Sequence, residues 1–366
     1  MTGDIATVGV EEEFLLVDPD SGRPQPAAAA VVAGAEADLG DQVCGEFTRS
    51  QIEVRTAPCT EAGQLRDELA RLRTAVARAA VAEGLRLCAS GTPVVAPEPA
   101  PVADHPRYRA GVAQYRAMLD DFMVCSMHVH VYLPHRELAV RVSNHLRPRL
   151  PLLIAASANS PFHQGNDTGY ADWRAVIRSR FPCLGPPPYA ESLRHHEELA
   201  AMIADSGAML NAATPFWDIR PNPKLPTLEI RCMDVVADID DAVALAMLIR
   251  ALVSVSTDEA LAGDPGPQPN SEVLRAAYWR AARDGWTGHG VDAVSGEVMP
   301  ASVQMAGLVD QLEPALRRHG DRAIVDGLVG RLAERGTGAE MQHASLAGRG
   351  SLAGVVDDLV SLTART

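Results

Sequence analysis

The chain has 366 residues, of which 47% are hydrophobic and 22% are charged, and its formal net charge is −14. This composition excludes a disordered chain and provides material for a large core, while the length permits two domains. Basic residues form no run, and Lys224 is the only lysine among the 33 of them, so we expect no nucleic-acid partner and no membrane partner.

The first ten residues, MTGDIATVGV, lack the basic and apolar regions of a signal peptide, and no run of about 18 apolar residues predicts a membrane span. The six cysteines are scattered, without a CxxC pair or a zinc-type spacing. These patterns predict a cytoplasmic protein with free thiols.

The first part of the chain predicts two strands and a helix. Alternating polar and apolar residues indicate strands at 8–17 (VGVEEEFLLV) and around 51–56 (QIEVRT). Apolar residues at helical spacing indicate a helix between residues 61 and 83, with Thr60 as its N-cap and Gly84 after its end.

The middle of the chain continues with strands, loops and a helical stretch. Residues 85–92 predict a strand that leads into a proline-rich loop at 96–106, which is long enough to cover a site. Another alternating strand is predicted at 124–133, and a helical pattern follows at 138–158. The polar segment at 159–174 is a loop rich in turn-forming residues.

The last part is mainly helical. A helical pattern at 189–209 is followed by a strand at 226–235 (PTLEIRCMDV) and a long helix at 239–262. Residues 263–272 have the composition of a linker, and GTGAE at 336–340 interrupts the helices beyond it. Because each predicted strand alternates and none is apolar throughout, we expect an antiparallel sheet with one face on helices and the other face polar.

The polar face of this sheet gathers acids, imidazoles and arginines. Since side chains alternate along a strand, Glu11 and Glu13 share one face, roughly 6–7 Å apart, while Glu12 lies on the apolar face. The other three strands each present a polar set: Gln51, Glu53 and Arg55; His128 and His130; Glu229 and Arg231. Crowded carboxylates require cations among them, and oxygen ligands with some imidazole suit Mg²⁺ or Mn²⁺. We expect Glu12 to pair with an arginine of the helical layer.

Each pattern also has a simpler explanation. An ExE pair is typical of a solvated strand face and an ExR pair of a cross-strand ion pair, but the coincidence of four strands favours a functional surface. The chain contains no P-loop, no GxGxxG after a strand, no GxSxG and no HExxH. The HVH of residues 128–130 also occurs in metal-dependent amidohydrolases, so a metal-dependent amide hydrolase is the alternative enzyme.

Six segments carry a family resemblance: GVEEEF, SQIEVRT, MHVHV, SANSPFHQGNDTGYADWR, FWDIRPNPKLPTLEIRCMD and GTGAE. In this order they resemble the bacterial carboxylate-amine ligases of the glutamate-cysteine ligase type 2 group, from Val8 to about His343. The resemblance implies an α+β fold with a curved, mostly antiparallel sheet of about six strands and helices outside, related to glutamine synthetases. We expect one catalytic domain over residues 1–366, with a sheet-forming core at 1–262 and a mainly helical portion at 273–366.

The resemblance also implies a reaction. A carboxylate, typically the γ-carboxyl of glutamate, attacks the γ-phosphate of ATP, and an amine such as that of cysteine displaces the phosphate from the acyl phosphate. ATP and Mg²⁺ (or Mn²⁺) are therefore the expected cofactors, and a small-molecule acid and amine are the expected substrates. A sheet of this size could offer a homodimer surface. A catalytically inactive nucleotide-binding relative is the remaining alternative.

The site residues follow by motif from the same resemblance. The implied metal ligands are Glu11, Glu13, Glu53, His128 and Glu229. Arg231 and Glu53 are the implied catalytic residues, and Arg231 would hold phosphate. Further contacts to nucleotide or substrate are expected from Arg220, Arg174, His130, Asn159, Gln164 and Thr168. For Arg220 and Arg174 a loop-fixing ion pair is an equal alternative, and His130 is expected to support a ligand.

The chain departs from the family pattern at five positions. They are Ser126, Tyr132, His163, Met341 and His343. The expected metal and ATP residues are all intact, so these departures bear on which amine and which acid the protein uses.

Overall fold

A seven-stranded antiparallel sheet forms the centre of the computed structural model, which describes residues 6–96 and 101–365. The strands of the chain are β1 (Val8–Val17), β2 (Val43–Gly45), β3 (Gln51–Arg55), β4 (Arg86–Cys88), β5 (Ser126–Tyr132), β6 (Phe162–His163), β7 (Asn166–Asp167), β8 (Ile219–Pro221), β9 (Thr227–Asp234), β10 (His289–Val291) and β11 (Val298–Pro300). The order in the sheet is β2-β3-β1-β5-β9-β8, with β4 also paired to β1. The predicted antiparallel sheet is confirmed, with one strand more than expected.

Helices cover the sheet and make up most of the C-terminal portion. They are α1 (Ala28–Leu39), α2 (Ala62–Ala82), α3 (Pro106–Tyr115), α4 (Arg136–Leu146), α5 (Leu150–Ser157), α6 (Trp173–Ser179), α7 (Leu193–Asp205), α8 (Ile239–Leu261), α9 (Ser271–Asp284), α10 (Ala301–His319), α11 (Arg322–Arg335), α12 (Gly338–Arg349) and α13 (Leu352–Thr363). Among the described residues, none of these helices has the length and apolar character needed to cross a bilayer.

Strand β1 holds the sheet together because it pairs along both edges. One edge pairs with β3, and the other pairs with β5 at residues 8–12 and with β4 at residues 15–17. This register places Glu11 opposite His128, and Glu13 opposite Glu53. The polar residues of three strands therefore meet at one place on the sheet.

The apolar face of β1 is buried against helices α2 and α8. Glu12 lies on this face, is fully buried, and accepts a hydrogen bond of 2.9 Å from Nε of Arg73 in α2. Arg73 also donates to the carbonyls of Val236 and Ala237, so all three nitrogens of its guanidinium are hydrogen-bonded. The expected ion pair between Glu12 and an arginine of the helical layer is confirmed.

Several helix boundaries differ from those predicted from the sequence, because capping residues and prolines determine where these helices begin and end. The pattern at 138–158 forms two helices, α4 and α5, separated by a 3₁₀ turn at 147–149, where Pro148 and Pro151 interrupt the helical hydrogen bonds. The N-cap of α2 is Glu61, one residue after Thr60, because Glu61 and Gln64 form a capping box.

Two further segments were predicted less well. The strand expected at 85–92 is only β4, and of the proline-rich loop at 96–106, residues 97–100 lie outside the described residues. The helical pattern at 189–209 shortens to α7, whose N-cap Ser192 accepts from the backbone N–H of His195 at 3.2 Å.

The C-terminal portion is helical, as predicted, except for the unpredicted hairpin β10–β11. Leu312 of α10 and Leu328 of α11 belong to the same hydrophobic core as Val8 and Met247. The GTGAE segment begins α12, where a Cβ on Gly338 would lie 2.0 Å from Oδ1 of Asn159, so only glycine fits there. The division of the chain into one catalytic domain stays a prediction.

Candidate active site

The polar face of the sheet forms the floor of a cavity of about 470 Å³. Seven of the predicted site residues line it together: Glu11, Glu13, Glu53, His128, Arg220, Glu229 and Arg231. The four strands on which alternation placed polar side chains thus contribute to one surface, although His130, predicted for the same face, does not line the cavity.

The wall of the cavity is aromatic. Phe47, Tyr108 and Tyr115 of α3, Phe122 and Phe181 make edge-to-face contacts in series, with ring centroids 5.2–5.6 Å apart. Such ring pairs stabilise the fold by more than their buried area contributes, so the aromatic wall is a stable part of the cavity. The cavity therefore combines an acidic floor with an apolar side.

A first group of carboxylates lies at Glu13, Glu46 and Glu53, whose oxygen atoms lie within 4.8 Å of one another. Glu46 follows β2 and accepts a hydrogen bond of 2.5 Å from the hydroxyl of Tyr108. Sequence reasoning missed Glu46 because residues 46–50 form no strand, so no alternation assigns it to a face. Its only signal was its place in the segment CGEFTRSQIEVR.

The pKa values of these three acids are all raised. Burial raises the pKa of Glu46 to about 7, and the charge of Glu13 adds to the shift. Burial, followed by the charges of Glu11, Glu46 and Glu13, raises the pKa of Glu53 well above its ordinary value. Burial also raises the pKa of Glu13. Three carboxyl groups this close together all become negatively charged readily only when a bound cation offsets their charge.

A second group is formed by Glu11, His130 and Glu229, again with donor atoms within 4.8 Å. Nε2 of His130 lies 3.3 Å from Oε1 of Glu11, but it is buried and has no hydrogen-bond partner. Nδ1 of His130 contacts Oγ1 of Thr227 at 3.0 Å, which fixes the ring. Although His130 itself does not line the cavity, its free nitrogen points at two acids that do.

The neighbouring His128 has both ring nitrogens occupied. Nδ1 lies 3.0 Å from Oε2 of Glu11 and 3.3 Å from Arg231, while Nε2 lies 2.9 Å from Oγ of Ser126. Burial and the charge of Arg231 lower the pKa of His128 to about 3. The contacts therefore favour the reverse of the expected roles, with His130 as a donor to a cation and His128 as its neutral support.

Two arginines flank Glu229 at the floor. Arg220 donates from Nε to Oε2 at 2.9 Å and from NH2 to Oε1 at 3.1 Å, and Arg231 bonds to the same carboxylate. Burial acts to raise the pKa of Glu229, but the charges of Arg231 and Arg220 outweigh it and leave the pKa below its ordinary value. Nε of Arg231 is buried without a partner. A second anion beside Glu229 would find positive charge there.

Besides His130, four expected nucleotide or substrate contacts do not line the cavity: Arg174, Asn159, Gln164 and Thr168. Arg174 is fully buried and donates to the carbonyls of Arg231 and Cys232, each at 3.1 Å. Asn159 is equally buried and donates to the carbonyls of Ala89 and Val235.

The other two residues belong to the same loop. Thr168 donates to the carbonyl of Pro161 at 2.8 Å, and Gln164 is exposed with a φ of 50°. The side chain of Thr168 thus bonds within the loop at 159–174, and those of Arg174 and Asn159 bond to the backbone of residues in or beside β4 and β9. For Arg174 these bonds agree with the alternative of a structural role, and the assignment of all four residues to nucleotide or substrate stays a prediction.

Of the five departures from the family pattern, only Ser126 lines the cavity. Its backbone N–H donates to Oε2 of Glu13 at 2.8 Å, and its hydroxyl contacts His128. The other four lie elsewhere: Tyr132 is exposed, His163 approaches Asp121, Met341 contacts Arg335, and His343 approaches Asp167. Ser126 is thus the departure that touches the floor.

Comparison with known proteins identifies the family of this chain. The model of glutamate-cysteine ligase family 2 matches residues 7–360. A protein of Mycobacterium sp. (strain KMS), provisionally named glutamate–cysteine ligase 2-2, is 42% identical over 98% of both chains. A protein of Nocardia farcinica (strain IFM 10152), provisionally named glutamate–cysteine ligase 2-1, is 41% identical over 98% of this chain and 94% of its own.

Two solved structures share the fold. The glutamate–cysteine ligase of Francisella tularensis, described in complex with AMP, superposes with a TM-score of 0.73 at 12% identity, covering 99% of this chain and 90% of that one. A bifunctional glutathione synthetase of Pasteurella multocida gives a TM-score of 0.72 at 14% identity, covering 98% of this chain and 52% of that one. At these identities the likeness concerns the fold.

Proposed function

The chain belongs to glutamate-cysteine ligase family 2, and we propose that it uses ATP to join a small-molecule carboxylate to an amine. Glutamate and cysteine are the pair that the names of its relatives indicate. The observation that carries the proposal is the presence of two groups of buried and half-buried metal-ligating side chains at the floor of one cavity, five of which line it. Two cation sites close together are a recurring arrangement for phosphoryl transfer.

The donor sets fit divalent cations. Glu13, Glu46 and Glu53 would hold one Mg²⁺ or Mn²⁺ through oxygen alone, and Glu11, Glu229 and His130 would hold another. The raised pKa values of the first group and the unpartnered Nε2 of His130 both support this assignment. When bound, the cations neutralise the phosphate charge of ATP and align it with the acid substrate.

The remaining residues position the reactants and stabilise charge. Arg231 and Arg220, fixed by Glu229, can bind the phosphate oxygens on which charge develops. An oxygen of the substrate carboxylate attacks the γ-phosphorus and ADP leaves. The amine nitrogen then attacks the carbonyl carbon of the acyl phosphate, phosphate leaves, and the nitrogen loses a proton to yield the amide. Glu53 would supply negative charge to the cation that it holds with Glu13 and Glu46, and we expect the ligase activity to require it.

The proposal is tested by incubating the protein with ATP, MgCl₂ or MnCl₂, glutamate and cysteine, and by measuring ADP and the condensed product by mass spectrometry. We expect equal amounts of ADP and product, and a loss of about 100-fold or more in the Glu53→Gln variant, since removing one group that stabilises developing charge costs that much. Hydrolysis of an amide without nucleotide would contradict the proposal, as would the absence of ADP across a panel of acids and amines.

A further inference from the structure

Two cationic side chains on the wall of the cavity form no ion pair with an acid, although the charge of one of them, Arg107, opposes the rise in the pKa of Glu46. Four of the six cationic residues that line the cavity are paired with acids: Arg55, Arg178, Arg220 and Arg231. Lys224 and Arg107 form no ion pair within the described part of the chain. In a protein with a net charge of −14, two unpaired cations at a cavity with an acidic floor are available to an anion.

Lys224 is held at a fixed place relative to the floor. It lies between β8 and β9, where Oδ1 of Asn222 accepts from the backbone N–H groups of Lys224 and Leu225, each at 2.8 Å. Nδ2 of the same Asn222 donates to Oε2 of Glu229 at 2.7 Å. One asparagine side chain therefore ties the turn that carries Lys224 to the proposed cation site, while the lysine side chain itself stays exposed.

Arg107 approaches the same wall from α3. Its guanidinium carbon lies 4.9 Å from the ring centroid of Phe216, which precedes β8 and also lines the cavity. Stacking uses the flat face of the guanidinium and leaves its N–H edge free for an anion. We call Arg107, Phe216 and Lys224 the cationic rim.

We propose that the cationic rim binds the carboxylate of the amine substrate and thereby favours an amino acid over a simple amine. This inference rests on the proposed function. With its carboxylate held at the rim, an amino acid can direct its amine nitrogen towards the acyl phosphate at the floor. The arginines of the floor, Arg220 and Arg231, are already bound to Glu229. Because the amine reacts after the acyl phosphate has formed, we expect its carboxylate to bind the exposed residues of the rim and not the buried arginines.

The inference is tested by comparing two acceptors that differ only in the carboxylate, L-cysteine and cysteamine. The unsubstituted protein should have the lower KM for L-cysteine. Lys224→Met and Arg107→Met should each raise the KM for L-cysteine about fivefold, which corresponds to the loss of one solvent-exposed charge contact. The KM values for cysteamine, glutamate and ATP should stay unchanged, and Lys224→Arg should restore most of the affinity for L-cysteine.

Arg109→Met is the matched control, because Arg109 also lies on α3 but pairs with Asp104 and does not line the cavity. Equal KM values for the two amines, or equal changes in both, would overturn the inference. A rise confined to the KM of ATP or glutamate would also overturn it, since the rim would then hold phosphate or the acid substrate. If the unsubstituted protein formed no ADP with any acceptor, the proposed function itself would fail.

Discussion

The three consecutive glutamates of β1 have different surroundings because the pleat of the strand separates them. Glu11 belongs to the donor group with His130 and Glu229, and Glu13 belongs to the group with Glu46 and Glu53. Glu12 points to the opposite face and forms the buried ion pair with Arg73. Adjacent residues of one type therefore contribute separately to function and to stability.

This separation predicts distinct losses on substitution. Glu11→Gln and Glu13→Gln should each abolish ligation while the urea midpoint changes little. Glu12→Gln should instead lower the free energy of unfolding by about 3–5 kcal/mol, because it leaves the guanidinium of Arg73 buried without its counter-charge. Urea unfolding monitored by circular dichroism, together with ADP release, measures both effects.

The control for this prediction is the double variant Glu12→Leu with Arg73→Met. It removes both charges and should be more stable than Glu12→Gln, since an apolar pair carries no desolvation cost. If all three glutamine variants unfolded alike, the assignment of faces along β1 would be wrong.

Tyr108 connects the aromatic wall to the floor through its hydrogen bond to Glu46. A bond to a carboxylate orients it and favours its charged form, so Tyr108→Phe should weaken the binding of Mn²⁺ about fivefold. Electron paramagnetic resonance of free Mn²⁺ during a titration measures this without any turnover. Tyr115→Phe is the matched control, because that hydroxyl contacts Cys183 and the carbonyl of Ala208, not an acid. Equal Mn²⁺ affinities of Tyr108→Phe and Tyr115→Phe would contradict a role of Tyr108 in cation binding.

At the scale of elements, alternation along the strands was enough to predict which side chains share the floor. It could not distinguish His128 from His130, because both lie on the same face and only their partners, Ser126 and Thr227, separate them. Glu46 was missed because it lies outside any strand. The burial of Arg174 and Asn159 could not be predicted, because the contacts that bury them come from distant segments that no local pattern reveals.

The clustering of Glu13, Glu46 and Glu53, which come from β1, β3 and the loop after β2, also predicts that the stability of the protein depends on pH. The pKa of Glu46 is about 7 in the folded chain, against an ordinary value of 4.5. Between these values the folded protein binds more protons than the unfolded one, so the free energy of unfolding should fall as pH rises from about 4.5 to 7. The lowered pKa values of Glu11 and Glu229 act below about pH 4.5 and leave this interval unaffected. The lowered pKa values of His128, His196 and His319 oppose the fall up to about pH 6.5, whereas the raised pKa values of Glu13 and Glu53 add to it. The comparison with Glu46→Gln therefore isolates the part that Glu46 contributes.

Urea unfolding in EDTA at about pH 5 and about pH 7.5 tests this dependence. The metal-free protein should be less stable at the higher pH, and Mg²⁺ should restore stability mainly there. The free energy of unfolding of the Glu46→Gln variant should fall less between these two pH values, because the variant lacks one carboxyl group with a raised pKa. Stability that rises with pH to the same extent in both proteins would contradict the proposed crowding of acids.

At the scale of the whole molecule, the cavity depends on segments far apart in the chain. The floor comes from β1, β3, β5 and β9, while α3 and the residues before β8 supply the wall. Helices α10 and α11 pack in the same hydrophobic core as the sheet, so we expect the portions before and after residues 263–272 to fold as one unit. The oligomeric state stays a prediction.

The most direct test of the central claim, that this floor activates a carboxylate with ATP, follows an oxygen atom. Glutamate labelled with ¹⁸O in its γ-carboxyl is incubated with ATP, Mg²⁺, cysteine and the protein, and the released phosphate is analysed by mass spectrometry. Because phosphate leaves the acyl phosphate with one carboxyl oxygen, the account predicts one ¹⁸O atom per phosphate released. Unlabelled phosphate accompanying the condensed product would contradict it.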